Sequence, residues 1–384
     1  MYQCSVCAER SNSVGFKKGN LIMPFDKKAG PAATGSFVDP LSLLPLPVHH
    51  IGKFPVGNTP LVNPIHLRTE YNMSRLYLKY DGLNPSGSLK DRASLLVGEL
   101  ALHLGEKRIV LASTGNAGSA MACAGAAYGL EVILLVPASA PKAKLLQSIL
   151  YGARVAPVEG TYDDAFDISI QLTEEFGGIN RNTAFNPFTT EGKKTVSVEI
   201  YNQLFFKVPD YVYIAAGDGV IYAGVYKGFA DLLRCGAADR IPRIIMVQAA
   251  GSNAIVQSLR TGSEVILKST ETKADSISVC SPANGEMAIR YLDDCRGWAV
   301  EVDDTDIREA QRELAEKAGV FTEPSAAAAW AGCKLDRDKL DPDAVVVVLL
   351  TGTGFKDLVA VESIAKIPPS CKPDVDHVIG YLKL

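Results

Sequence analysis

The chain of 384 residues has no apolar stretch long enough to cross a bilayer. Its longest such run, residues 344–350, is a third of the roughly 20 residues a membrane helix needs and reads as a buried strand. Neither sign of charge is in excess: 39 Lys and Arg against 43 Asp and Glu leave a net charge of -4, so no basic face for nucleic acid is expected. Eight cysteines scattered over this length are the pattern of reduced thiols in the cytoplasm rather than of a disulfide framework. The start, Met1-Tyr2-Gln3-Cys4, has no basic segment followed by an apolar one, so no secretory signal is expected. Cys4 and Cys7 form one C-x-x-C, but a structural zinc site needs a second ligand pair and residues 11–26 hold no Cys or His; no metal is expected. Internal repeats and low-complexity linkers are also missing.

What remains is an ordinary globular composition, 47% hydrophobic and 21% charged, at a length that suits two or more packed domains. Residues 1–50, with Pro-rich 40–47, read as an arm lying on the body. From residue 109 strand and helix patterns alternate: strands at 109–112, 132–136 and 154–158, helices at 117–128, 141–151 and 161–176, the last with Tyr162, Phe166 and Ile170 at spacing four. A second series has strands at 211–216, 243–247 and 344–350, a helix at 220–234, and another capped by Asp304 or Thr305 and stopped by Gly319. Such alternation predicts an α/β fold with two doubly wound parallel sheets and a ligand cleft between them.

Four junctions carry candidate chemistry. In Asn84-Pro85-Ser86-Gly87-Ser88-Leu89-Lys90-Asp91-Arg92 a turn ends a strand and a helix begins at Lys90. The positive end of a helix dipole disfavours a second positive charge, so this amine is easier to deprotonate, as a Schiff-base lysine requires. The segment also reads as a surface lysine in a first turn. Ser113-Thr114-Gly115-Asn116-Ala117 follows the 109–112 strand and opens a helix; it offers amides and hydroxyls to an anion, or simple capping by Ser113 or Thr114. Gly217-Asp218-Gly219-Val220-Ile221 can curl successive amides around a phosphate. It lacks the third glycine of the dinucleotide fingerprint, which disfavours NAD. Thr351-Gly352-Thr353-Gly354 follows the last strand and is a Gly-rich turn or a hydroxyl aimed at a ligand. Glu323-Pro324 opens a helix.

The Lys90 segment resembles the N-P-S/T-G-S-F-K-D-R motif of threonine synthases and related fold-type II pyridoxal-phosphate enzymes, with Leu89 in place of an aromatic residue. The 113–117 loop, the G-D-G cup at 217–219, the T-G-x-G-x-K-D segment from Thr351 and the G-N-T-P-L entry at 57–61 are similar to the same family in order and separation. The resemblance spans roughly residues 54–360. It implies pyridoxal 5'-phosphate as cofactor, carried by Lys90. Asn116 would meet its phenolic oxygen, main-chain amides of Gly217, Asp218, Gly219, Val220 and Ile221 its phosphate, and Thr351 its ring nitrogen. Ser113, Thr114, Gly115 and Ala117 would grip the carboxylate of a small amino-acid substrate. It further implies a cytoplasmic homodimer with a large domain of residues 51–108 and 197–384 and a small mobile domain of residues 109–196. The expected reaction turns O-phospho-L-homoserine and water into L-threonine and phosphate, with Lys90 moving protons. Asn186 and Thr189 fall in an N-P-x-R-x-E-G-x-K-T segment that helps hold the substrate's phosphate. Thr189 stands where the family has an arginine, and a hydroxyl cannot supply a bidentate charged contact. Lys193 and Lys194 either compensate or are solvated surface charges. Thr189 and Leu89 keep open a second reading, a β-eliminating or β-replacing enzyme acting on serine, threonine, phosphoserine or a diamino acid. A third is a non-catalytic sensor of the same fold.

Overall fold

Val346–Leu350 is strand β10, and all five of its residues are buried. Its Val347 and Leu349 point into one apolar core, its Val346, Val348 and Leu350 into another. That alternation, repeated by Tyr211–Ala215 (β7) and Arg243–Ala249 (β8), is what a parallel strand covered on both faces demands. In this computed structural model the three strands are the middle of a six-stranded sheet ordered β1-β2-β10-β7-β8-β9. Leu76–Tyr80 (β2) and Ala299–Val302 (β9) are parallel to the rest, and Leu61–Val62 (β1) is an antiparallel edge. The described residues are 2, 4–9, 16, 18–24, 33–49, 54–140, 142–362, 364–365 and 367–383. One face of the large sheet is covered by helices Thr195–Gln203 and Val220–Arg234, the other by Asp304–Ala318 and Pro324–Leu335 with fully buried Trp330. Phe16, Val38 and Leu43 from the amino-terminal region bury in the first of these cores.

The second sheet has four parallel strands ordered β5-β4-β3-β6: Arg154–Val158 (β5), Glu131–Pro137 (β4), Arg108–Ala112 (β3) and Ile179–Asn180 (β6). Helix Lys90–Leu104 contributes Val97 and Ala101 to its core, so the helix that starts at Lys90 belongs to the packing of this sheet. The expected strands and helices therefore appear, shifted by a residue or two at their ends. One cap differs: Asp303, not Asp304 or Thr305, caps its helix, accepting from the amides of Thr305 (2.8 Å) and Asp306 (2.9 Å). It is the last residue with extended backbone, which the capping geometry requires. None of the eight cysteines forms a disulfide, and among the described residues no group of His, Cys, Asp and Glu is arranged to hold a metal. No helix is long and apolar enough to cross a membrane among the described residues.

Candidate functional site

Every junction singled out above leaves the carboxyl end of a strand. β2 runs through a short turn at Asp81–Leu83 and the left-handed Gly87 (φ +93°) into the Lys90 helix. The loop is stitched to the end of β10: Leu89 N–H donates to the Thr351 carbonyl (2.8 Å) and Thr353 N–H to the Gly87 carbonyl (3.0 Å). Lys90 and Thr351 are thereby held side by side. The Lys90 amine faces a cavity and makes no hydrogen bond among the described residues. Burial pushes its pKa down; Asp218 and Glu323 pull it back up, and Arg181 lowers it further. Desolvation, rather than the helix dipole, is the leading cause. Leu89 is fully buried in the large core and does not line the cavity.

Below the loop sits a closed ion cluster. Arg92 reaches Asp81 (Nε–Oδ2, 2.7 Å) and Glu199 (Nη1–Oε1, 2.6 Å), and Lys79 Nζ meets Glu199 Oε2 at 2.7 Å. Glu199 Oε1 also accepts from the Asn58 amide (2.8 Å), and Asn84 Oδ1 from the Gly57 amide (2.9 Å). The G-N-T-P entry and the K-D-R motif are two sides of one clamp that fixes where the Lys90 helix starts.

On the large sheet, β7 ends at the glycine cup. Gly219 adopts φ +86°, and a Cβ there would lie 2.9 Å from Ala288 Cβ and from the Asn284 carbonyl oxygen. A Cβ on Gly217 would lie 2.9 Å from Ile277 Cα. The Val220 amide is taken by Asp218 Oδ1 (3.0 Å), and its side chain is buried away from the cavity. The first turn of helix Val220–Arg234 presents the amino-terminal amides that a phosphate needs. Gly219→Ala is expected to weaken cofactor binding about ten- to thirtyfold, the left-handed backbone alone costing about 1–2 kcal/mol. Titrating the apoprotein with cofactor, followed by visible absorbance, checks this. An unchanged dissociation constant would remove the cup from the site.

On the small sheet, β3 ends at the 113–117 loop. Ser113 Oγ accepts from the amides of Gly115 (3.3 Å) and Gly118 (3.0 Å), so it does the capping. A Cβ at Gly115 would stand in open space, so the backbone here is approachable from the cavity. Asn116 Nδ2 donates to both oxygens of Glu323, each at 3.0 Å. Glu323 is buried, and burial raises its pKa while Asn116 opposes the rise. Read as a helix start, Glu323 is also a carboxyl group at the site. The sequence shows only a glutamate directly before a first-turn proline; that its side chain leaves the helix uncapped and turns to Asn116 is seen in the structure alone.

These loops enclose a cavity of about 600 Å³, within the range of cofactor and small-ligand sites. Lys90, Ser113, Thr114, Gly115, Asn116, Ala117, Gly217, Asp218, Gly219, Ile221 and Thr351 all line it. Tyr162, Phe166 and Thr183, not assigned to the site from sequence, line it too. Asn186 and Thr189 do not. Both are fully buried: Asn186 Nδ2 donates to the Asn180 carbonyl (2.7 Å), and Thr189 Oγ1 to the Asn186 carbonyl (2.7 Å). Nor are Lys193 and Lys194 solvated. Lys194 pairs with Glu191 (2.7 Å) and Asp231 (2.8 Å), and Lys193 Nζ donates to the Thr189 carbonyl (2.6 Å). An amine without a partner among the described residues, glycines where a Cβ would collide and the Thr351 hydroxyl suit pyridoxal 5'-phosphate.

Comparison with known proteins agrees. The pyridoxal-phosphate dependent enzyme family matches residues 53–352. The threonine synthase of Methanocaldococcus jannaschii is 36% identical over 85% of this chain and 82% of its own, and that of Methanosarcina acetivorans 34% identical over 84% and 80%. Among solved structures, maize serine racemase superposes with a TM-score of 0.70 at 22% identity, covering 82% of this chain and 93% of that one. The processed threonine deaminase isoform 2 of Solanum lycopersicum gives 0.69 at 21%, covering 89% and 99%. These two share the fold, which is the expected fold-type II architecture. The cofactor of such a protein is pyridoxal 5'-phosphate, and by sequence the chain belongs to the threonine synthase family of pyridoxal-phosphate-dependent enzymes.

Proposed function

We propose that this protein converts O-phospho-L-homoserine and water to L-threonine and inorganic phosphate. The observation that carries the reading is the Lys90 amine, without a partner among the described residues, on the wall of one cavity shared with the 113–117 loop, the glycine cup and Thr351. Lys90 would hold the cofactor through its amine, the amides at Gly217, Asp218, Gly219 and Ile221 its phosphate, Thr351 its ring nitrogen and Asn116 its phenolic oxygen; the Val220 amide, taken by Asp218, is not among them. When bound, pyridoxal phosphate supplies an electron sink for bonds at the carbon that bears the substrate's amino group. The chain's own residues do the rest. Amides and hydroxyls of residues 113–117 orient the substrate carboxylate, so that Cα and Cβ face Lys90. Burial lowers the pKa of Lys90 and so favours the neutral amine, the form that takes a proton from Cα and returns one. Cβ gives up a proton as phosphate leaves from Cγ, Cγ takes up a proton to become the methyl group, and water adds its hydroxyl at Cβ while its remaining proton goes to the departing phosphate.

The rest of the reading is a cytoplasmic homodimer in which residues 109–196 move as a small domain against a large one of residues 51–108 and 197–384. Release of phosphate from O-phospho-L-homoserine, with threonine identified as the equimolar co-product, is the expected result. Neither product from protein that carries the cofactor's visible band would overturn the reading. That result would favour β-elimination or β-replacement on serine, threonine, phosphoserine or a diamino acid, the alternative to which Thr189 points.

A further inference from the structure

The amino-terminal segment reaches residues on both sheets' sides of the cavity. On the side of the small sheet, rings stand in a row. Tyr2 packs on Phe185 with ring centroids 5.1 Å apart, Phe185 meets Phe166 edge-on at 6.2 Å, and Phe166 lies 6.4 Å from Tyr162. Aromatic pairs attract at these separations and tilts. Phe166 and Tyr162 line the cavity. The Tyr162 hydroxyl donates to the carbonyl of Ala112 (3.3 Å), the residue directly before the 113–117 loop. At the far end of the row the Tyr2 hydroxyl accepts from the Asn180 amide (3.2 Å), at the end of β6. Between the cavity and the row, Ala184 is held at φ +68°, a left-handed backbone at a residue that has a Cβ. Such a backbone persists where packing fixes the residues on either side. Here Thr183 lines the cavity, and Phe185 sits between Tyr2 and Phe166.

On the side of the large sheet the same segment is anchored by residues 16–20. Phe16 is fully buried in the large core, and its N–H donates to Glu264 Oε2 (2.9 Å). Lys18 pairs with Glu264 Oε1 at 3.1 Å. Asn20 Nδ2 donates to the carbonyl of Ala283 (2.5 Å), and Ala283 lines the cavity. The two stretches are tied to each other. The Cys4 N–H donates to the Gly19 carbonyl (2.8 Å), and a Cβ at Gly19 would lie 2.8 Å from the Cys4 carbonyl oxygen, so backbone packs directly on backbone. A path of contacts therefore runs from Tyr162 along the row to Tyr2, across the Cys4–Gly19 pair and on to Ala283.

We infer that this segment is a strap that fixes the aromatic wall of the substrate site, with Tyr2 a positioning residue that acts through Phe185 and Phe166 on Tyr162. The strap lies outside residues 53–352, the part of the chain that matches the enzyme family. A wall that is fixed before the substrate arrives spares an ordering cost at binding. The effect falls on the amino-acid substrate rather than on the cofactor, because the row backs the small sheet while the glycine cup and Thr351 extend the large one. The inference rests on the proposed reaction only for the choice of one of the two ligands used to test it.

The test compares the holoenzyme of the parent with Tyr2→Ala and Tyr2→Phe. Tyr2 belongs to none of the buried apolar clusters among the described residues, so removing its ring leaves the cores in place. Hydrogen exchange read by mass spectrometry is expected to speed up about three- to tenfold over residues 162–176 and 183–186 in Tyr2→Ala. Tyr2→Phe, which keeps the ring, stays within about twofold of the parent. The half-saturating concentrations of O-phospho-L-homoserine and of L-serine, read from the cofactor's visible absorbance, rise about three- to tenfold in Tyr2→Ala while the affinity for the cofactor stays within about twofold. In a Phe166→Leu background, Tyr2→Ala adds less than about twofold, as a shared path requires. Unchanged exchange in Tyr2→Ala overturns the strap. Faster exchange with unchanged ligand affinity overturns its part in the substrate site, and full additivity with Phe166→Leu overturns the route along the row. Exchange needs no ligand, so the strap is decided even where the parent responds to neither. A parent that responds to L-serine but releases no phosphate from O-phospho-L-homoserine fails the proposed reaction and leaves the strap standing on its own measurements.

Discussion

Lys90→Ala loses turnover by at least about a thousandfold while the protein stays folded. The two halves of this expectation have separate causes. The amine carries the chemistry: it would hold the cofactor and move the proton at Cα, and no other amine lines the cavity among the described residues. The fold does not depend on it, because Lys90 Nζ makes no hydrogen bond or ion pair among the described residues. Its loss relieves a desolvation cost, so stability is unchanged or slightly higher. The helix start is set by neighbours instead, through the Leu89–Thr351 backbone bond and the Arg92 clamp. Absorbance and steady-state rates check the first half, a urea midpoint the second. A variant that keeps its visible band and its rate would take Lys90 out of the site.

The largest loss of stability is expected from Glu199→Gln. The substitution leaves Arg92 and Lys79 buried with Asp81 as their remaining carboxylate, and breaking a buried cluster from one side costs about 3–5 kcal/mol. Replacing the whole cluster by apolar residues would cost less, because no charge would be stranded. Burial by itself would raise the Glu199 pKa, but attraction to Arg92, then to Lys79, outweighs it and holds the carboxyl at about 2. A folded-state pKa below the unfolded value gives stability that is present above the ordinary glutamate range and is lost as pH falls through it towards 2. The parent should therefore lose stability over that acid window more steeply than Glu199→Gln. Urea unfolding at neutral pH and at about pH 4 measures both effects. A variant within about 0.5 kcal/mol of the parent at neutral pH would mean that the cluster does not hold the clamp.

The parts of this site that were legible in the sequence are those whose signal is local. A strand pattern, a Gly- or Pro-marked turn and a helix start are each a few residues long, and Lys90, Asn116, Gly217 and Thr351 sit on such junctions. Burial of charge has no local signal. Lys193-Lys194 reads like a solvated pair, yet Lys194 has two carboxylates and Lys193 a carbonyl, supplied by residues the surrounding pattern does not mark as partners. Arg181 looks like any polar residue of the Asn180-Arg181-Asn182 loop, and its burial follows from Ser94 on a helix 87 residues away in the chain. Tyr162 was visible as a feature of a helix but not as a wall of the cavity, and Glu323 not as the partner of Asn116, because which face of a helix meets a ligand depends on how two sheets pack. β6, with two residues, is too short to show a period.

The cavity draws its walls from two sheets with different duties. The glycine cup and Thr351 extend the large sheet, and the 113–117 loop and Thr183 extend the small one. Apart from Asn116 and Lys90, which are proposed to meet the cofactor, a change of substrate can therefore be written into the small-sheet loops without rewriting the cup proposed to hold the cofactor's phosphate. The side-chain bridge from Asn116 to Glu323, which joins the two, is the seam at which such a change has to remain compatible. This arrangement lets one scaffold diversify: new specificities can arise by drift in small-sheet loop residues other than Asn116, while selection for cofactor retention acts on Lys90, Asn116 and the large-sheet cup.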